Sequence, residues 1–180
     1  MLAARRSIAV FAVVISAAAL SACSEIDPFD STPTSEQLPQ RPADVNDADV
    51  EFATEMISHV QRGRELAKVA FDSNSDGDVA AIARRIEDQD RKRLLVMSEM
   101  LDSWGEPAAE STALETWDEL DGLTGVEFDE RWTALMIEHH TQAVALAEIV
   151  QREGSSRSVN NLASGMLVDL GFEMSTLDSD

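Results

Sequence analysis

From residue 47 onward the apolar and small residues fall at alternating steps of four and three. Phe52, Met56, His59, Gly63, Leu66 and Ala70 form one such series. Trp132, Met136, His139, Ala143, Leu146 and Val150 form a second, each residue 80 positions after its counterpart. Alternating threes and fours trace the seam of a helix packed in a bundle. Asp49 and Asp129, and Ile57 and Ile137, match across the same shift, so the pattern is an internal repeat. A second helix follows each motif helix. One is predicted over about 78–104, with Ile82, Ile86, Leu94, Met97, Leu101 and Trp104 inward. The other is predicted over about 156–177, with Val159, Ala163, Met166, Leu170, Met174 and Leu177 inward. Polar, glycine-containing turns separate the members of each pair, and residues 106–125 form a longer crossover with a helical turn around Leu114 to Leu120. Nothing is patterned as a strand. The expectation is an all-α four-helix bundle built from two helix-pair repeats over residues 47–180.

The chain before residue 47 lacks this pattern. Residues 1–22 carry Arg5 and Arg6, an apolar run from Ile8 to Leu20 and small residues ahead of Cys23. The run is short for a membrane span, which takes about 20 residues. This is the build of an export signal. Leu20-Ser21-Ala22-Cys23 resembles the lipobox of bacterial lipoproteins, which implies cleavage before Cys23 and lipid on that residue. Cys23 is the only cysteine, so neither an intrachain disulfide nor a thiolate cluster is available. Residues 23–46 contain four of the five prolines and few apolar residues, and are expected to be a tether with a span of about 25 Å. The expected location is the extracytoplasmic face of a cell membrane, held by lipid.

Charge narrows the partners. The sequence holds 14 basic and 34 acidic residues; without Arg5 and Arg6 the processed chain has 12 against 34, a formal charge of −22. Phosphate backbones repel such a chain, which excludes nucleic acid as a partner.

The three histidines concentrate the remaining chemistry, because all of them fall on the repeated helices. Met136 lies three residues before His139 and four before His140, so the three share a helix face. Met56 stands in the same relation to His59, but Val60 occupies the slot equivalent to His140. The candidate ligand set is Met56, His59, Met136, His139 and His140, with the stronger half in the second repeat. Imidazole suits zinc, copper, iron or nickel, and thioether sulfur selects Cu(I). Carboxylate-rich bundles that hold iron or manganese place Glu three residues before His; here that residue is methionine. The set therefore points to copper, as Cu(I).

The stretch Leu123 to Val150 resembles the signature of the family known as domain of unknown function 305, through Gly125, Phe128, Asp129, Trp132, Met136, Ile137, His139, His140, Ala143, Val144, Leu146 and Ala147. The family repeats Met-x-x-His-His in its first half, where this chain has Met56, Ile57, His59 and Val60. Met97, Trp104 and Gly105 fit the end of the family's second helix, but Arg93 stands where an acid is usual; in the fourth helix Glu173 fits and Leu177 replaces a methionine. The resemblance implies a ferritin-like four-helix fold, frequent export and, for several members, copper binding or tolerance.

Asp72, Asn74, Asp76 and Gly77 match the opening of a calcium loop, yet its twelfth position, which requires a bidentate glutamate, is Ala83, so the stretch is a polar turn. No nucleophile–base pair or phosphate-binding loop is present, and the chain is expected not to be an enzyme. Two functions follow: a lipid-anchored copper-binding or buffering protein, or a metal-free helical module with structural histidines that docks another envelope protein or a second copy of itself.

Overall fold

The computed structural model describes residues 39–72, 77–109 and 117–179. The expected signal segment, Cys23, most of the tether and the turn at 73–76 lie outside the described residues. The helices are α1 (Asp47–Asp72), α2 (Gly77–Trp104), α3 (Val126–Glu153) and α4 (Arg157–Leu177), with a 3-10 turn at Asp118–Leu120 in the crossover. The described residues contain no strand. The expected four-helix architecture is the observed one.

Local chemistry sets the helix ends. Gly125 takes φ 58° immediately before α3, a conformation that favours glycine. Glu127 and Asp129 in the first turn of α3 and Arg152 in its last complement the helix dipole. Ser156 caps α4, its Oγ accepting from the Val159 N–H at 3.5 Å.

Asp49 ties the two repeats together. It is fully buried at the start of α1, and its Oδ2 accepts from the backbone N–H groups of Asn46 at 2.9 Å, Ser155 at 3.1 Å and Ser156 at 2.9 Å. Residue 154 must be glycine for this approach, because a Cβ there would lie 2.5 Å from Asp49 Oδ1.

The stretch from 39 to 46, expected to belong to the tether, lies against the bundle. Val45 is buried in the core, and Arg41 bridges Asp47 at 2.5 Å and Glu106 at 2.6 Å. A turn bonded from Val45 N–H to the Pro42 carbonyl at 3.0 Å satisfies the backbone here, which is how a proline-rich segment can pack without joining a helix.

The interior divides into three layers. One apolar cluster centres on Phe52, Met56, Met97, Leu101 and Met166. The other centres on Leu66, Ile86, Phe128, Trp132 and Met136. Trp132 satisfies its indole N–H on the Leu66 carbonyl at 2.8 Å. Between the clusters every helix contributes buried polar groups: His59 from α1, Asp90 and Arg93 from α2, His139 and His140 from α3, and Glu173 from α4. Burying one large apolar side chain stabilises by about 1.5–3 kcal/mol, whereas desolvating each ion costs several kcal/mol. The apolar clusters therefore carry the fold, and the layer is maintained at their expense.

The 80-residue shift extends to the second helices. Val79 matches Val159 and Ala83 matches Ala163, all buried. In the same register Arg93 is the counterpart of Glu173, and Met97 of Leu177.

Candidate metal centre

The polar layer is built around a pair of stacked imidazoles. His59 and His139 occupy equivalent positions, and their rings lie 3.8 Å apart at an interplanar angle of 4°. His59 Nε2 donates to the His139 carbonyl at 3.1 Å, and its Nδ1 accepts from the Arg62 guanidinium at 3.3 Å. Both His59 nitrogens are thus engaged. Burial, with the positive charge of Arg62, pushes its pKa down to about 4. Burial pushes His139 further, to about 2, with the neighbouring histidines adding to it.

His139 rests on Gly63. A Cβ there would lie 2.5 Å from His139 Nε2 and 3.2 Å from Asp90 Oδ2, so glycine is the residue that admits both groups to this cradle. Asp90 is held by Arg93 in a 2.8 Å ion pair within α2, yet burial still raises its carboxyl to about 6. Arg93 also reaches α4, lying 3.4 Å from Asp169 and 3.8 Å from Glu173 Oε1.

His140 and Glu173 meet at the centre of the second repeat. His140 Nε2 lies 2.9 Å from Glu173 Oε2, and both side chains are almost wholly buried. The approach is close but poorly aligned with a ring N–H, and both nitrogens of His140 and both oxygens of Glu173 lack a hydrogen-bond partner among the described residues. Such atoms are costly in a low-dielectric interior. An imidazole nitrogen facing a carboxylate oxygen suits a borderline metal ion such as copper or zinc. His140 and Glu173 are thus the best-fitted donors in the layer. Among the described residues no three His, Cys, Asp or Glu side chains already form a metal-binding group, so the pair is a two-donor nucleus rather than a closed cage.

The structure brings His59, His139 and His140 into one layer, His59 and His139 at equivalent repeat positions and His140 as the next residue along α3. It leaves Met56 in one apolar cluster and Met136 in the other, one on each side of the layer. The inward positions assigned to Leu94 and Met174 are only half-buried, while Asp90, Arg93 and Glu173 occupy the buried seam. Steps of four and three carried through α4 run Val159, Ala163, Met166, Leu170, Glu173 and Leu177, and that signal reaches Glu173 without any hydrophobicity. A groove of about 480 Å³ between α1 and α3, lined by Glu55, Ser58, His59, Arg62 and Gln142, opens over the His59 side of the layer.

The family described as "Domain of unknown function (DUF305)" matches this chain twice, over residues 49–119 and 112–179, once for each helix pair. Among solved structures, a DUF305 fragment from Deinococcus radiodurans superposes with a TM-score of 0.68 at 23% identity, covering 75% of this chain and 95% of that one. A DUF305 protein from Streptomyces coelicolor gives 0.66 at 24% identity, with 72% and 89% covered. CopM in its Cu(I)-bound form gives 0.65 at 20% identity, with 73% and 93% covered; CopM has also been solved with Cu(II) and with silver. At these identities the likeness is one of fold. No curated protein matches the chain.

Proposed function

The chain belongs to the DUF305 family, and on that premise we propose that it is a metal-binding protein, with copper its ion and the His140–Glu173 pair the nucleus of the site. The observation that carries this reading is the pair itself: an imidazole nitrogen and a carboxylate oxygen on two almost fully buried side chains, 2.9 Å apart and without a hydrogen bond. A bound ion would take His140 Nε2 and Glu173 Oε2 together, leaving His140 Nδ1 to carry the ring proton. His139 stands beside the pair on α3, and Met136 lies one turn before His140, where its thioether would favour the monovalent state. CopM, with the same fold, carries Cu(I) in one of its structures. The role of the chain is to bind or buffer the ion outside the cytoplasm, held at the membrane by lipid on Cys23. Cleavage and membrane partition of wild type against Cys23→Ala test the anchoring.

Competition against a Cu(I) chelator tests the site. Wild type takes up copper; His140→Ala lowers the affinity by about a hundredfold, the upper end of what even supporting residues cost. Glu173→Gln lowers it less, and Met136→Leu weakens Cu(I) while leaving Cu(II) nearly unchanged. A helical wild-type protein that takes up no copper overturns the reading.

The second reading, a metal-free module that docks an envelope partner or another copy, draws on the engaged nitrogens of His59 and on Arg93, which already neutralises part of the layer. It predicts equal competition by wild type and all the variants.

A further inference from the structure

The two repeats place opposite charges at one equivalent position. Arg93 on α2 and Glu173 on α4 are related by the 80-residue shift that relates His59 to His139 and Val60 to His140. The second repeat therefore presents an imidazole and a carboxylate at its centre. The first presents an aliphatic side chain and a guanidinium.

The guanidinium is not a surface charge that has strayed inward. Arg93 is 6% exposed and Asp90 3%, and the two are joined at 2.8 Å. The other terminal nitrogen of Arg93 points across the bundle, 3.4 Å from Asp169 and 3.8 Å from Glu173. A guanidinium stays protonated at any pH the fold survives. It supplies positive charge where an ion held by the first repeat would have to supply it, and a metal cation added there would be repelled at short range with little solvent to screen it. On Glu173 the guanidinium faces Oε1, and Oε2, the oxygen toward His140, is the one left for an ion. Val60 removes the other requirement, since it has no donor atom and is packed in the apolar cluster around Met56.

We propose that Arg93 is a resident cation that closes the first repeat to metal, so that the layer accepts one ion, on the His140–Glu173 side, and not two. The stoichiometry of one rests on the metal reading above; the closure by Arg93 does not, because it concerns what the first repeat excludes.

The test restores the second repeat's donors to the first. Purified wild type, Val60→His, Val60→His/Arg93→Gln and Val60→His/Arg93→Glu are titrated with Ag(I) and with Cu(I) under chelator competition. Far-ultraviolet circular dichroism admits only helical variants. Wild type is expected to bind one equivalent. Val60→His alone also binds one, because the guanidinium remains. Removing the charge as well raises the count to two. Arg93→Glu sets a carboxylate beside Asp90 and can cost the fold; the Arg93→Gln version, which adds no charge, then decides. A wild type that binds nothing beside a double variant that binds one ion keeps the closure and discards the metal reading of the natural layer. Two equivalents in Val60→His alone, or no gain in either folded double variant, overturns the closure.

Discussion

In the first helix pair the middle of the bundle holds His59, Val60 and Arg93; at the equivalent positions of the second it holds His139, His140 and Glu173. The seam periodicity is the same in both, yet the polar atoms of the first half are hydrogen-bonded and those of His140 and Glu173 are not. His59 engages both nitrogens and Arg93 is ion-paired, whereas His140 and Glu173 face each other without a proper hydrogen bond. Duplication supplies two copies of a polar position; substitution then decides which copy is neutralised from within and which keeps buried polar atoms without hydrogen bonds.

The widest separation between the halves is expected in stability. Arg93→Ala strands Asp90 and Glu173 in the interior with no guanidinium, and breaking a buried pair in this way costs about 3–5 kcal/mol. Glu173→Ala leaves Arg93 on Asp90 and costs less. Urea unfolding of the metal-free proteins measures both; an equal loss would mean that the two positions are electrostatically equivalent after all.

Acidification separates the layer's groups next. His59 and His139 take protons in the folded state only near 4 and 2, whereas in the unfolded chain each does so near 6.5. Lowering the pH from 6 to 4 therefore favours the unfolded chain through both rings. Asp90 acts in the opposite sense: its folded pKa of about 6 lies above the ordinary 3.8, so it gains a proton in the folded state first and stabilises as the pH falls. The balance is one proton in favour of unfolding, or about 3 kcal/mol lost across those two pH units. Denaturation midpoints between pH 4 and 6 check the slope, and Asp90→Asn should roughly double it. A slope unchanged by Asp90→Asn would mean that the carboxyl does not titrate in this window.

The smallest contrast lies under the stacked rings. Gly63 and Ala143 are equivalent positions. Gly63→Ala drives a methyl into His139 and costs about 2 kcal/mol by overpacking, visible as a lower melting temperature. Ala143→Gly costs about 1 kcal/mol, chiefly through helix propensity. Equal costs would remove the distinction between the two cradles.

Much of this was legible in the sequence because it depends on spacing. The steps of four and three located the helices, and the 80-residue shift put His59 opposite His139. Of the layer's other members, Arg93 and Glu173 stood out only through the family resemblance and Asp90 not at all, because seam positions on α2 and α4 were assigned by hydrophobicity. That criterion prefers Leu94 to Arg93 and Met174 to Glu173, although each preferred residue is only half-buried. Buried charges escape such a criterion by nature: they are tolerated only where partners from other helices converge, and one helix's sequence does not display them. The packing of residues 39–46 escaped for the same reason, since Arg41 finds Glu106 across 65 residues.

Asp49 has a consequence for the order in which the molecule comes together. Each helix hairpin closes through neighbours near in sequence and can form early, but the bonds from Asp49 to Ser155 and Ser156 span more than 100 residues. Contacts of such separation form late, after the chain between them has been ordered. Removing the carboxylate should then leave the refolding rate nearly untouched and hasten unfolding instead. The Ser155 and Ser156 amides offer the readout. They lie outside α3 and α4, where backbone N–H groups ordinarily exchange fast with solvent, yet here they should exchange only when the first helix lets go of the last turn.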